Sequence, residues 1–271
     1  MTDPRRRLVH GRGLAEAGPG APPAAANDAE AQASERWLVD TPLLQHTHPK
    51  VRLTAKRLTQ LKASPREQAL ACFQYVRALP YAAILAGAST SAPAVLRAGR
   101  GDCHTKTTLL VALLRSLGIP ARMRVVTLGP GFLHGITDLG SRTIEHAYAE
   151  VLLDGRWVAT DAYAVDPRLA AAARARLRRE QRRLGYGVHV AGTIHWDARN
   201  DAFGQFSPGD AEGLPLRDWG AFDDPSQFYA QAPVARLRLS LAGRLRWLLG
   251  TRRVNRRVKK LRAEIPSPAG R

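Results

Sequence analysis

The sequence predicts a fold of the α+β class, with helices followed by antiparallel strands. Three observations predict it: the apolar helical stretch GDCHTKTTLLVALLRSLGIPAR at 101–122, the β-branched run ARMRVVTL at 121–128, and an Asp154-Gly155 turn between two apolar-rich runs. Helices and strands segregated along a chain, rather than alternating, favour this class over a parallel sheet.

The chain has 271 residues, 45% of them hydrophobic, which is enough for one substantial core with appendages. Residues 1–33 are rich in Ala, Gly, Pro and Arg and poor in large apolar groups, so a disordered N-terminal arm is expected there. A single domain is expected over 34–230, followed by a basic amphipathic helical tail over 231–271.

Within the domain, SPREQALACFQYVRAL carries a helix start: Ser64 as N-cap, Pro65 at the first helical position and Glu67 three residues after the cap. Leu70, Phe73, Val76 and Leu79 recur at helical spacing. Cys72 falls within this helix and reads as a small packed hydrophobe. In the next helix Asp102 is the expected cap and Leu110, Leu113, Leu114 and Leu117 the buried stripe, with Gly118 and Pro120 as the stop. ARMRVVTL is a strand, and residues 145–153 and 156–164 are expected to pair across Asp154-Gly155, the strongest short-range hairpin signal. DPRLAAAARARLRREQRRLG is expected to be a helix ended by Gly185, and GYGVHVAGTIHW a further strand; 197–230 reads as loop. In the tail, Val234, Leu237, Leu241, Leu245 and Leu248 share one helical face and Val254, Val258, Leu261 and Ile265 another, which predicts two basic helices.

The chemistry converges on Cys103. A cysteine in the first turn of a helix has the positive end of the macrodipole around its sulfur, and such settings favour the thiolate. Gly99 and Gly101 are expected to leave room for a substrate backbone. A nucleophilic cysteine needs a base and an orienting group. With a two-residue turn at Asp154-Gly155, directly paired residue numbers sum to about 309 by the hairpin rule. His146 then opposes Tyr163 and Tyr148 opposes Asp161. His146 and Asp161 become diagonal neighbours on one face, about 7 to 8 Å apart at the backbone, within reach of a hydrogen bond. The opposite face carries Ala147, Ala149, Val151 and Val158, suited to a core, which leaves the His146/Asp161 face to meet the Cys103 helix.

On GDCHTKTTLLVALLRSLGIPAR and HAYAEVLLDGRWVATDAY, the sequence resembles the transglutaminase-like superfamily of papain-like cysteine enzymes, over residues 65–165. The resemblance implies Cys103 as nucleophile, His146 as general base and acid, and Asp161 as the residue orienting the imidazole. It implies a papain-like core with the nucleophile helix packed on an antiparallel sheet. It also implies a thioester on Cys103, formed from a peptide or carboxamide, and hence a protease, an amidase or a protein-glutamine transferase acting on a protein or peptide substrate. Tyr81 falls where many members carry an aromatic residue. His104 and Lys106 are not essentials of the family.

No cofactor or metal is expected: pairs such as His46 and His48, or His189 and His195, lack ligand spacing, and two cysteines are too few for a disulfide framework. The longest aliphatic run, LLVALL, is far short of the roughly 20 apolar residues that span a bilayer. The basic N-terminus lacks the apolar stretch of an export signal, so a cytoplasmic location is expected. A formal charge of +18, from 41 Lys+Arg against 23 Asp+Glu, suits the tail to weak contact with an anionic membrane or nucleic acid. The alternative to an enzyme is a non-catalytic binding module of the same fold that uses this tail.

Overall fold

The computed structural model describes residues 35–137, 140–231 and 241–264. The arm expected at 1–33 lies outside them. Four helices come first: α1 Pro49–Thr59, α2 Pro65–Ala78, α3 Ala92–Ala98 and α4 Cys103–Arg115. Ser64 and Glu67 form the capping box at the start of α2. In α4 the expected single buried stripe is a helix buried almost all round, from Thr105 to Arg115. The reason is its place at the centre of the molecule, with α1, α2 and α3 against one side and the sheet against the other. Its fully buried Leu109, Leu110, Leu113 and Leu114 each contribute about 1.5 to 3 kcal/mol through burial.

The sheet has the strand order β3-β2-β1-β6, where β1 is Ala121–Leu128, β2 Ile144–Leu153, β3 Arg156–Thr160 and β6 Arg217–Phe222. Asp154 (φ 51°) and Gly155 (φ 73°) make the left-handed turn between β2 and β3. The ladder runs in the expected register, from Leu153 opposite Arg156 to Ala149 opposite Thr160. It stops there. Thr160 bridges to Ala202 and the Asp161 N–H donates to the Ala202 carbonyl at 3.1 Å, so the chain leaves β2 before the expected pairs His146/Tyr163 and Tyr148/Asp161 can form.

Three further stretches differ from expectation. The helix over 166–185 is α5, Pro167–Arg179, and ends well before Gly185. Gln181 adopts a left-handed φ of 54°, while the Glu180 carboxylate is held by Arg176 and the Tyr186 hydroxyl. GYGVHV is a tight hairpin of β4 Leu184–Gly185 with β5 Val188–His189, turned at Tyr186 and Gly187, both at positive φ. The stretch read as loop supplies β6, an antiparallel partner of β1, and α6 Pro225–Gln231.

The two faces of the sheet bury different cores. On one, α1 to α4 pack over Ala149, Val151, Leu153 and Val158. On the other, Tyr148, Val126 and Leu128 meet Phe132 and α5. Among the described residues of the tail, 241–264, one helix, α7 Leu241–Arg262, carries residues of both expected faces. Val234, Leu237 and Ile265, together with the side chains of Leu241 and Leu245, lie outside what is described. Val258 and Leu261 of α7 are buried in the second core. Asn255 accepts the Ala83 N–H at 2.8 Å and donates to its carbonyl at 3.0 Å, and Arg262 donates to Asp166 at 2.6 Å and to the Tyr81 carbonyl at 2.9 Å. The apolar side of this half of α7 is therefore occupied by the protein itself, and Arg252, Arg253, Arg256, Lys259 and Lys260 face solvent.

If α7 docks this way in solution, Val258→Asp places an uncompensated charge in the core and lowers the unfolding free energy by about 3 to 5 kcal/mol. Lys259→Ala leaves it within about 0.5 kcal/mol. Urea unfolding of the two variants distinguishes this from a detached tail, in which neither substitution moves the midpoint.

Candidate functional site

Cys103 is the first residue of α4. Asp102 caps the helix by accepting the Thr105 N–H at 3.0 Å, while the Thr105 hydroxyl oxygen accepts the Asp102 N–H at 2.9 Å. The Cys103 N–H has no acceptor among the described residues and remains a donor at the positive end of the helix. The room expected at Gly101 is taken by the helix that follows it, while the space beside Gly99 is open. A side chain on Gly101 would come within 2.6 Å of the Thr105 hydroxyl and 2.9 Å of Lys106 Cγ, and Gly99 is the left-handed cap of α3 at φ 58°. The Gly101 backbone also joins the Tyr81 segment: the Ala82 N–H donates to its carbonyl at 2.9 Å, and Tyr81 bridges it.

His146 stands on β2, opposite Val126 of β1. Its Nε2 lies 3.0 Å from Asp161 Oδ2, and both side chains are fully buried. The other Asp161 oxygen accepts the backbone N–H groups of Gly204 at 2.5 Å and Gln205 at 3.4 Å, which fixes the carboxylate from the side away from His146. Phe132, Tyr148 and Phe206 surround the imidazole, with ring centroids 5.9, 6.3 and 6.2 Å away.

The face assignment expected from alternation is reversed. The body of α4 packs on the Ala149/Val151 face because its leucines need an apolar floor, and the imidazole points to the other core. Only the first turn of α4 meets His146, and it does so past the edge of β2 that β3 has vacated. There Cys103 comes close enough for its charge to act on the imidazole, whose Nδ1 is buried and has no hydrogen-bond partner among the described residues. Burial alone pushes the pKa of His146 down, but the hydrogen bond to Asp161 and the nearby negative charges of Cys103 and Asp161 outweigh it and raise it to about 9. The three residues singled out in the sequence are thus brought together, with the imidazole in the middle. Cys72 lies away from them on α2, where burial drives its thiol up to about 12.

The vacated edge of β2 is sealed by side chains. His104 Nε2 donates to the Glu145 carbonyl at 3.1 Å, and Thr107 donates to the Ala147 carbonyl at 3.2 Å. Burial lowers the pKa of His104, so its neutral ring accepts the Tyr229 hydroxyl proton on Nδ1 at 2.9 Å. Lys106, fully buried, donates to the Leu79 carbonyl at 2.9 Å, tying the end of α2 to α4; burial lowers its pKa to about 7. Tyr81 bridges Gly101, two residues before Cys103: burial first, then the charges of Cys103 and Asp102, push its phenol well above the usual range.

Sequence reasoning missed Gly204, Phe132, Phe206 and Thr107. Only Gly204 left a signal, a glycine between two phenylalanines, and its side-chain position is closed by the Thr193 carbonyl at 2.7 Å. The other histidines have separate tasks: His48 caps α1, and His189 is buried against Asp210 at 2.8 Å. Among the described residues no three His, Cys, Asp or Glu side chains are grouped to hold a metal ion, and no helix is long and apolar enough to cross a membrane.

Residues 52–162 match the model of the Transglutaminase-like superfamily. A solved structure described as a candidate cysteine protease from Cytophaga hutchinsonii is 21% identical, with a TM-score of 0.41 over 50% of this chain and 43% of that one. A candidate protease from Parabacteroides distasonis is 20% identical, with a TM-score of 0.33 over 48% and 25%. The periplasmic domain of TgpA from Pseudomonas aeruginosa, bound to ethylmercury, is 24% identical, with a TM-score of 0.36 over 51% of each chain. The chain thus spans about half or less of the solved structures that it resembles. No curated protein matches it.

The imidazole of His146 is expected to stay protonated from pH 6 to 8 and to titrate near 9. Since that value is raised above the unfolded one, its contribution to stability is complete below about pH 6.5 and lost as pH rises through about 9. Lys106, lowered to about 7, works in the opposite direction over an overlapping range. The check is therefore local: side-chain NMR of His146 against pH, in which titration near 6.5 contradicts the assignment.

Proposed function

From a transglutaminase-like region at residues 52–162, we propose that the chain is a cysteine-dependent acyl-transfer enzyme acting on peptide or carboxamide bonds through Cys103, His146 and Asp161. One observation carries the reading. A buried imidazole is hydrogen-bonded to Asp161, leaves its other nitrogen unpartnered and close enough to Cys103 to feel its charge, and is held protonated at neutral pH. That is the arrangement in which a sulfur can act as nucleophile without waiting for a base to remove its proton.

In this mechanism the Cys103 sulfur attacks the carbonyl carbon. The oxygen that becomes negative is suited to the Cys103 N–H at the start of α4, a kind of contact worth about 2.7 to 4 kcal/mol in the transition state. His146 gives its proton to the departing nitrogen, the C–N bond breaks, and ammonia or an amine leaves a thioester on Cys103. His146, now neutral, takes a proton from the second nucleophile as that attacks the thioester, and the sulfur leaves. Asp161 keeps the ring in its tautomer and orientation throughout. Water as second nucleophile gives a protease or amidase, and a lysine amine gives a protein-glutamine transferase; the same three residues serve both.

Cys72 supplies an internal control. Iodoacetamide at pH 6 is expected to label Cys103 well ahead of Cys72, whose thiol is buried and held up to about 12. His146→Ala slows the labelling of Cys103 sharply at pH 6 and much less at pH 9. Equal labelling of both, indifferent to His146→Ala, contradicts the enzyme and favours a non-catalytic module. Incubation with a glutamine-containing protein and a primary amine, read by mass spectrometry, then separates amine incorporation from deamidation and chain cleavage.

A further inference from the structure

We propose that Thr107 and Tyr163 form a buried hydroxyl relay that positions Cys103, His146 and Asp161 relative to one another; the proposal rests on the catalytic reading of those three residues. Thr107 lies one turn after Cys103 and Tyr163 two residues after Asp161, and neither is exposed. The Thr107 hydroxyl is 2.6 Å from the Cys103 carbonyl, 3.2 Å from the Ala147 carbonyl and 2.6 Å from the Tyr163 hydroxyl. One side chain therefore touches the backbone at the nucleophile, the residue next to the base, and the segment that follows the orienting carboxylate.

Counting protons gives the relay a direction. Both carbonyls can only accept, so Thr107 directs its single proton to them, and Tyr163 must donate to Thr107. Tyr163 can do so because burial holds its phenol well above the usual range. With His104 on the Glu145 carbonyl, the edge of β2 that β3 leaves open is gripped at Glu145 and Ala147, on both sides of His146. The edge of Phe73 packs on the Tyr163 ring at 6.2 Å, which leaves the phenol little freedom. Hydroxyls in such a chain polarise one another and stiffen the arrangement. A small shift of β2 against α4 would move the imidazole off the sulfur, and catalytic geometry tolerates little displacement.

Thr107→Val keeps the shape and removes the hydroxyl, and the Cys103 carbonyl retains its helical hydrogen bond. The readout is the pH profile of Cys103 alkylation by iodoacetamide, resolved by peptide mass spectrometry, in wild type, Thr107→Val, Thr107→Ser, Tyr163→Phe and Thr108→Val. Thr107→Val is expected to alkylate about tenfold more slowly at pH 6 and within about twofold of wild type at pH 9.5. Thr107→Ser restores the wild-type profile, and Tyr163→Phe shifts it in the same direction as Thr107→Val. Thr108, also on α4 but bonded only to the His104 carbonyl at 3.0 Å, gives a profile unchanged by Thr108→Val. If Thr107→Val melts earlier but its profile superimposes on wild type, the pair is structural and the relay is wrong. Should Thr107→Val fail to fold, Tyr163→Phe decides by the same criterion. Failure of the catalytic reading is separate: it shows in wild type, as Cys103 labelling no faster than Cys72 at pH 6, and takes the relay with it.

Discussion

A carboxylate and an imidazole that are both fully buried must satisfy each other, and the hydrogen bond of 3.0 Å between Asp161 and His146 imposes that demand on everything near it. Removing two such groups from water costs several kcal/mol each, recovered only when geometry and further hydrogen bonds are good. Asp161 therefore needs donors, and the backbone of Gly204 and Gln205 provides them, with glycine at the first position because no side chain fits there. To place its carboxylate against the imidazole, the chain must leave the sheet, so β3 ends at Thr160. That early end opens the edge of β2, and the open edge is where the first turn of α4 enters. The position of Cys103 is in this sense a consequence of how Asp161 is satisfied.

The same demand reaches the C-terminal helix. Asp166, a few residues past Asp161, caps α5, accepts the Tyr81 N–H at 2.9 Å and pairs with Arg262 of α7. Its pKa stays low although burial pushes it up, because Arg262 and the backbone donors stabilise the charged form. Through Asp166 the last turn of α7 holds the segment of Tyr81, which pairs with Gly101 just ahead of Cys103. The basic tail is thus part of the architecture around the cysteine, and the half of it that docks presents only charge to solvent.

Much of this was legible in the sequence wherever the controlling interactions are local. The caps at Ser64 and Asp102, the span of β1 and the register of the hairpin follow from neighbours a few residues apart. The early end of β3 was not legible, because it depends on Ala202 and Gly204, some forty residues further on. Nor was the face on which α4 lies. Alternation along β2 separates two faces without saying which one the leucines of α4 will take, and both turned out to be buried. The strand β6 escaped because Asp218 and Gly220 interrupt its apolar pattern, and a shift in register accommodates the irregularity.

The dependence of the site on the Asp161–His146 pair is most directly tested by a double-mutant cycle on stability, with Asp161→Asn, His146→Gln and the double variant unfolded in urea at pH 7. Partners in one buried network couple by about 0.5 to 3 kcal/mol, whereas independent sites add within about 0.5 kcal/mol. The predicted result is a coupling of about 1 kcal/mol or more, with the double variant less destabilised than the two single losses summed. Additive losses would contradict the account, since the two side chains would then be buried near each other without depending on each other.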